Sequence, residues 1–261
     1  MIHKKENLIL QLENSGLKPH DTVLVHSSMK AVGQTENGAD TVIDAFMEYF
    51  SEGLLIFPTH TWASINRDNT FYDSLTAKPC VGVLPELFLK RPEVIRSLHP
   101  THSLAAVGKN AEEFLSGEEN ASTPCPRSGC YGKLYDLDSR IIFIGCSLKS
   151  NTILHGAEEW NDVPQRLTDE YLPLKIKTPS GEILECPMRT HSQKYGDISR
   201  NYDKIEPVLM RYKIAVKTKI GDAETYICRT REMIDIVSQL LQKNHDLFIN
   251  SDPIPNVILK V

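Results

Sequence analysis

The residues with the strongest chemical character in this chain are His155 and Glu158. An apolar, strand-like run at 141–145 precedes them, and Asn151 or Thr152 can cap a new helix in between. On such a helix the two residues are three positions apart and therefore share a face. An imidazole beside a carboxylate at the carboxyl end of a strand is a candidate general base with its charge stabiliser. The alternative is a surface histidine beside solvated acids, because this spacing also arises by chance.

A second candidate site follows the short apolar run 21–25, which is typical of a buried strand. His26, Ser27 and Ser28 come directly after it. Two hydroxyls and a row of free backbone N–H groups at a strand-to-helix turn suit a phosphate or the polar chain of an acyl carrier. The alternative is that a serine only caps the helix that follows.

A third polar stretch runs from Arg96 to Gly108 and contains two histidines. Pro100 breaks any helix in this stretch, and an apolar strand resumes at 103–107. The sequence thus predicts a polar loop that leads directly into a strand of the core.

Together these stretches resemble the aminoglycoside 3-N-acetyltransferase family, also called the antibiotic N-acetyltransferase family. Five separated blocks keep the family's order between residues 20 and 160. They are Val25-His26-Ser27-Ser28 with Val32-Gly33, Phe57-Pro58-Thr59, Arg96 to Gly108, Tyr131 to Asp138, and Asn151 to Glu158. The resemblance implies an enzyme that moves an acetyl group from acetyl-CoA to an amine, on a fold unlike that of the GNAT acetyltransferases.

The resemblance also implies roles for particular residues. His155 and Glu158 would be the catalytic pair, with acetyl-CoA as co-substrate and no metal. The residues implied at the acetyl-CoA site are His26, Ser27, Ser28, Met29, Val32, Ser103, Ala105 and Val107.

Acetyl transfer to an amine requires a base, because an amine near neutral pH is mostly protonated and an ammonium has no lone pair for attack. His155 has the side chain whose ordinary titration range suits that task. Glu158, one turn further along the helix, could hold the imidazole or favour its protonated form. The thiolate of CoA is a fair leaving group, so no covalent enzyme intermediate is needed.

Acidic residues near these stretches are candidate contacts for a cationic acceptor. Asp68 and Asp73 lie in a long loop, and Glu159 and Asp162 follow the catalytic helix. A cluster of carboxylates would attract the ammonium groups of an aminoglycoside. The alternative is that they are solvated loop acids. Arg67 adds a positive charge to the same loop, which leaves another small amine open as the acceptor.

Composition limits the class of protein. The 261 residues carry 34 acids and 29 bases, a formal net charge of −5, which argues against a general nucleic-acid binder. Six cysteines without a Cys-x-x-Cys pair indicate free thiols in a reducing cytosol. No signal peptide and no membrane-spanning run is evident, so we expect a soluble, cytoplasmic protein without a membrane partner. A homo-oligomer is left open.

The alternation of apolar runs and amphipathic patterns predicts a layered α/β core over residues 1–164, with a long polar loop at 62–80. Strands are expected at 21–25, 54–57, 102–107 and 140–145, and helices at 5–15, 38–50, 85–90, 110–116, 131–135 and 152–160.

The pattern changes after Pro164. Alternating pairs at 172–184 and 212–228 predict two antiparallel hairpins, and Thr230 can cap a last helix. We therefore expect a mostly antiparallel β appendage over residues 165–261 that packs on the same domain.

Other chemistries have weaker support. His99 and His102 with Cys125 and Cys130 could be proposed as zinc ligands, but Pro100 prevents the two histidines from sharing a helix face. The sequence contains no nucleophile elbow and no Gly-rich nucleotide loop. A second interpretation, from another class, is a non-catalytic protein that binds CoA or a small molecule on the same fold.

Overall fold

The computed structural model of the protein describes residues 2–255 and 258–260. Over these residues the helices are α1 (Lys5–Asn14), α2 (Met29–Val32), α3 (Ala39–Tyr49), α4 (Val83–Phe88), α5 (Ala111–Leu115), α6 (Cys130–Asp136), α7 (Ile153–Trp160), α8 (Glu206–Arg211) and α9 (Thr230–Lys243). The strands are β1 (Thr22–Ser27), β2 (Leu54–Pro58), β3 (Phe71–Asp73), β4 (Ile95–Arg96), β5 (Leu104–Gly108), β6 (Arg140–Ile144), β7 (Leu172–Lys177), β8 (Ile183–Met188), β9 (Ala215–Ile220) and β10 (Ala223–Arg229). Short 3-10 helices cover Glu118–Asn120, Leu148–Ser150 and Ile198–Ile205.

A seven-stranded mixed sheet forms the centre of the molecule, in the order β4-β5-β2-β1-β6-β10-β9. Its three middle strands are parallel: β1 pairs with β2 on one side and with β6 on the other. The outer pairs on both sides are antiparallel. The carboxyl ends of β1, β2 and β6 therefore meet at one edge, where open α/β sheets bind ligands.

Both faces of the middle strands are covered, and alternate residues of β1 supply the two cores. Leu24 packs in a cluster with side chains of α6, α7 and α9. Val23 and Val25 point to the opposite face and pack with side chains of α1 and α3. Strands buried on both faces read as continuous apolar runs, which explains the pattern at 21–25 and 140–145. The α/β fold class predicted from the sequence is confirmed by this arrangement.

The hairpin β9–β10 extends the central sheet and is not part of an appendage. Strand β10 pairs antiparallel with β6 along five residues, from Thr225 opposite Ile144 to Arg229 opposite Arg140. An alternating sequence predicts a hairpin but does not predict which sheet it joins. Every edge strand presents the same unpaired backbone N–H and C=O groups, so the local pattern cannot distinguish one edge from another. Residue 164 is therefore not a boundary between the two sheets.

The smaller sheet combines strands from both halves of the chain. Its order is β3-β7-β8, with β3 parallel to β7 and β7 antiparallel to β8. Strand β3 lies inside the expected loop 62–80, so part of that loop is ordered by pairing with the hairpin. Tyr72 of β3 is fully buried and packs with Leu174 and Ile176 of β7. The three residues of β3 carry too little periodicity to be recognised in the sequence.

No helix within the described residues is long and apolar enough to cross a membrane.

Gly145 ends β6 and directs the chain toward α7, and it provides a test of this packing. Its φ is +60°, and a Cβ at this position would lie 2.1 Å from the Cβ of Ala31 in α2. We expect Gly145→Ala to lower the free energy of unfolding by about 1–2 kcal/mol from backbone strain and by about 1–3 kcal/mol more from the clash. Urea unfolding measures the sum.

Gly181→Ala is the matched control. Gly181 has φ +89° in the β7–β8 turn, and a Cβ there meets nothing within 4 Å. In Gly181→Ala the free energy of unfolding should fall only by the contribution from backbone strain. Equal losses in the two variants would show that the contact between Gly145 and α2 is unimportant.

Candidate active site

A cavity of about 780 Å³ opens at the carboxyl ends of the parallel strands. Ser27 of β1, Pro58 of β2 and His155 of α7 all line it. The loop that contains Trp62 and Arg67 also contributes to the lining. The cavity thus lies at the edge of the sheet where the sequence predicted a ligand.

Helix α7 carries His155 to this cavity because its other face is anchored in the core. Ile153, Leu154 and Ala157 are fully buried in the cluster that covers the central sheet. The His155 side chain remains 17% exposed, so a ligand can reach it. Neither predicted cap forms: Thr152 makes no capping hydrogen bond, and the buried Asn151 turns its amide toward the sulfur of Met233.

His155 and Glu158 share one face of α7, as predicted, but a third residue stands between them. The Nδ1 of His155 is 3.7 Å from the Oε2 of Glu158, which is beyond hydrogen-bond distance. The hydroxyl of Tyr202 lies 2.8 Å from that Nδ1 and donates to Glu158 Oε2 over 3.0 Å. No described residue is hydrogen-bonded to the other ring nitrogen of His155, Nε2.

Glu158 is fully buried and forms an ion pair. The Nε of Arg166 donates to its Oε1 over 2.6 Å, and an Nη atom of Arg166 donates to the carbonyl of His245 over 3.0 Å. A buried carboxylate requires such partners, because an unpaired charge away from water is very unfavourable. Sequence reasoning missed Tyr202 and Arg166, since nothing in their local sequence indicates a contact with α7.

A row of histidines continues from His155 into the protein. The ring of His191 lies 4.1 Å from that of His155, His102 follows at 5.2 Å from His191, and His60 at 4.8 Å from His102. Burial lowers the pKa of His60, His102 and His191 well below the ordinary histidine value. These three imidazoles are therefore neutral near pH 7 and line the cavity without adding charge.

The row of histidines contains two members that the sequence analysis did not select. His60 comes shortly after the apolar run 54–57, as His26 comes after the run 21–25, so the sequence offered the same signal for both residues. His191 lies beyond β8, in the part of the chain that was interpreted only as a β appendage.

His26 and Ser27, two of the residues that the sequence assigned to an acetyl-CoA site, line the cavity. The ring of His26 stacks on Phe143 with centroids 5.2 Å apart, and its buried Nε2 has no hydrogen-bond partner in the described part of the chain. Burial lowers the pKa of His26 to about 3. Ser28 and Met29 come at the start of α2 and do not line the cavity; Met29 packs partly against the core.

Four other predicted cofactor residues are not at the cavity. Val32 and Ala105 are fully buried in the core, and Val107 packs against the same cluster. The hydroxyl of Ser103 donates to the carbonyl of Thr59, which holds two chain segments together. The side chains of β5 alternate between the two cores, which places Ala105 and Val107 in the interior.

The four predicted acceptor contacts divide into two pairs. Asp68 is exposed and lines neither cavity described here, and Asp73 forms an ion pair with Lys177 at 3.0 Å that lowers the pKa of Asp73. Glu159 and Asp162 border a second cavity of about 640 Å³. Burial raises the pKa of Glu159 to about 7, although its Oε1 accepts from the backbone N–H of Cys125.

The two cavities are neighbours. Arg67, Arg166, Leu172, Thr190 and Ser192 contribute to the lining of both. Arg67 at the shared rim pairs with Glu170 at 3.1 Å in an exposed ion pair.

The alternative zinc ligands are engaged in other bonds. His99 Nδ1 accepts from the backbone N–H of His102, and its Nε2 is 3.1 Å from the carbonyl of Thr123. Among the described residues no three histidine, cysteine or acidic side chains are arranged to hold one metal ion.

Comparison with known proteins assigns the chain to a family. A family model described as aminoglycoside 3-N-acetyltransferase matches residues 24–242. The chain belongs to this family. The resemblance inferred from the five sequence blocks is confirmed, and the match extends beyond them into the C-terminal part of the chain.

Curated relatives in the family include aminoglycoside N(3)-acetyltransferase IV from Salmonella sp. It is 33% identical over 164 residues, which cover 62% of this chain and 60% of that protein. Aminoglycoside N(3)-acetyltransferase VII from Streptomyces paromomycinus is 29% identical over 261 residues, with 88% of each chain covered. The match to the first relative thus spans about three fifths of that relative's length.

Solved structures of the family share the fold. A mutant of aminoglycoside acetyltransferase AAC(3)-IVa in complex with a gentamicin has a TM-score of 0.82 and 24% identity, with 95% of this chain and 92% of that chain covered. AAC-IIIb in a binary complex with CoASH has a TM-score of 0.81 and 20% identity, with coverage of 93% and 97%. At these identities the likeness establishes the fold.

The neutral state of His26 has a measurable consequence for stability. Its pKa is about 3 in the folded chain, against an ordinary value of 6.5, so the unfolded chain takes up the proton first as pH falls. The stability that the neutral His26 contributes is therefore fully present above about pH 6.5 and is lost progressively as the pH falls from there toward 3. We expect wild-type protein to lose about 2 kcal/mol more than His26→Phe between about pH 7 and pH 5, measured by urea unfolding.

His20→Phe, at an exposed position, is the control and should follow the wild-type pH dependence. A pH dependence in His26→Phe that parallels wild type would mean that His26 is solvated in the folded protein.

Proposed function

We propose that this chain is an N-acetyltransferase that transfers the acetyl group of acetyl-CoA to an amino group of an aminoglycoside, at the 3-N position, or of a related small amine. The observation that carries the proposal is the placement of His155, hydrogen-bonded at Nδ1 and open to the cavity, in a member of this family. The complexes of relatives with CoASH and with a gentamicin support both substrates.

In the proposed reaction His155 is the general base. The acceptor amine enters the cavity and attacks the thioester carbonyl while Nε2 of His155 removes a proton from the nitrogen. A C–N bond forms, the C–S bond breaks, and CoA leaves as a thiolate that can recover the proton from the imidazolium. Glu158, with its carboxylate 3.7 Å from Nδ1, stabilises the positive charge on His155 during the transfer.

The proposed acetyl-CoA site is the part of the cavity that His26 and Ser27 line. The chemistry that acetyl-CoA supplies is its thioester, which is reactive enough for direct attack. The hydroxyl of Ser27 is available to the polar groups of its chain, and the side chain of His26 lines the same part of the cavity. A neutral His26 is compatible with such a role, because it neither attracts nor repels the phosphates.

The proposed acceptor site extends from His155 toward the second cavity. We retain Glu159 and Asp162 as acceptor contacts because they border that cavity. Asp73 is engaged by Lys177, and Asp68 lines neither cavity, so these two have weaker support. A cytoplasmic location and a homo-oligomer remain predictions.

The central test is release of CoA thiol from acetyl-CoA in the presence of an aminoglycoside panel and of simple amines. We expect His155→Ala to lower turnover by roughly 100-fold or more, the scale for loss of a general base, while CoA still binds. The exposed His20→Ala is the matched control and should keep wild-type turnover.

Thiol release by His155→Ala at the wild-type rate would refute the role of His155. CoA binding by wild-type protein with no thiol release for any amine would favour the non-catalytic interpretation instead.

The cofactor site is tested by two neighbouring serines. Ser27 lines the cavity and Ser28 does not, so Ser27→Ala should weaken CoA binding by about 1–3 kcal/mol, the scale for leaving a hydrogen-bond partner unpaired. Ser28→Ala serves as the control and should bind CoA nearly as wild type does. Calorimetric titration with CoA measures both; equal affinities in all three proteins would contradict the proposed site.

A further inference from the structure

Tyr202 is the one tyrosine whose hydroxyl contacts His155 and Glu158 together among the described residues. It lies in the 3-10 helix Ile198–Ile205 and is fully buried. Its ring packs edge-on against His155 on one side, with centroids 5.2 Å apart, and against Phe248 on the other, at 4.7 Å. The ring position is therefore held by packing, and the hydroxyl is delivered to a defined point.

The two hydrogen bonds of the Tyr202 hydroxyl, to Glu158 and to His155, are compatible with one placement of the hydrogen atoms. The hydroxyl has a single hydrogen, and the carboxylate of Glu158 can only accept. The hydrogen of Tyr202 therefore goes to Glu158 Oε2, and the oxygen of Tyr202 must accept from His155. Nδ1 of His155 then carries the ring proton, and Nε2 is left with a free lone pair.

One further contact and the burial of Tyr202 keep the participants in these roles. Arg166 donates to the other oxygen of Glu158, over 2.6 Å, which holds the carboxylate as an acceptor. Burial raises the pKa of Tyr202 well above the ordinary tyrosine value, so the hydroxyl keeps its hydrogen near neutral pH. The ring of His191 is tilted by 32° against that of His155 and, within the described residues, forms no hydrogen bond with it, so His191 does not select a tautomer.

We propose that Tyr202 is a positioning residue of this site: its hydroxyl bridges Glu158 and His155 and fixes the imidazole in the Nδ1–H tautomer, with Nε2 free to accept a proton. Glu158 cannot do this directly, since 3.7 Å is too long for a hydrogen bond. The kinetic consequence rests on the proposed function of His155 as a base, whereas the tautomer does not.

The test is Tyr202→Phe, which removes the hydroxyl and keeps the buried ring. Nitrogen-15 NMR of the histidine side chains reads the tautomer directly, with His155 assigned from the signals that disappear in His155→Ala. We expect wild-type His155 to hold its proton on Nδ1, and Tyr202→Phe to show a mixture of both tautomers. In the thiol-release assay kcat should fall by about tenfold or more, and KM for the amine should change less than about threefold.

Tyr49→Phe is the matched control. It also removes a buried tyrosine hydroxyl with a short hydrogen bond, in this case 2.7 Å to the carbonyl of Leu17, on a different part of the fold. It should leave the His155 signals and kcat unchanged, so a general loss of stability from a missing hydroxyl is distinguished from the loss of the bridge.

A wild-type His155 with its proton on Nε2 would overturn the proposal, as would a Tyr202→Phe variant with an unchanged tautomer and an unchanged kcat. If wild-type protein transfers no acetyl group to any amine but its His155 has the Nδ1–H tautomer only when Tyr202 is present, the proposed function fails and the positioning role stands.

Discussion

The buried carboxylate of Glu158 is the constraint on which the rest of the site depends. It has no exposure to water, so its charge must be compensated inside the protein. Arg166 supplies the opposite charge at one carboxylate oxygen, and Tyr202 donates a hydrogen bond to the other. Arg166 also binds the carbonyl of His245. One acid thus joins α7 to the segment after it, to the 3-10 helix of Tyr202 and to the chain beyond α9. Removing one partner of such a pair costs about 3–5 kcal/mol in general, because the other charge stays buried.

The parallel strands decide where this network can meet a substrate. Strands β1, β2 and β6 run in the same direction, the ends of β1 and β2 line the cavity, and antiparallel strands extend the sheet on both sides. The apolar surroundings that bury these strands also desolvate the histidines beside them. The pKa values of His60, His102 and His191 are consequently lowered, whereas His155, with a side chain that is 17% exposed, has its Nε2 free of hydrogen bonds to the described residues at the cavity.

The region proposed to bind the acceptor carries charges of both signs. Glu159 and Asp162 border the second cavity, but Arg67 and Arg166 lie where the two cavities join. The pair of Arg67 with Glu170 is exposed, and such pairs contribute at most about 1 kcal/mol, so Arg67 can reorient when a ligand binds. Glu159, with a pKa of about 7, changes its charge near neutral pH and makes the region sensitive to pH.

The sequence by itself determined the α/β class, the bounds of most core elements and the shared face of His155 and Glu158, because these depend on hydrophobic periodicity and on spacing along one helix. It also brought His26 and Ser27 to the end of a parallel strand. Tertiary structure alone decided that β9–β10 extends the central sheet, and that Val32, Ser103, Ala105 and Val107 face the interior. It also decided the partners of Glu158. Tyr202 lies 47 residues from His155 and carries no local signal, since hydrogen bonds between distant segments are set by how the segments pack and not by their own patterns.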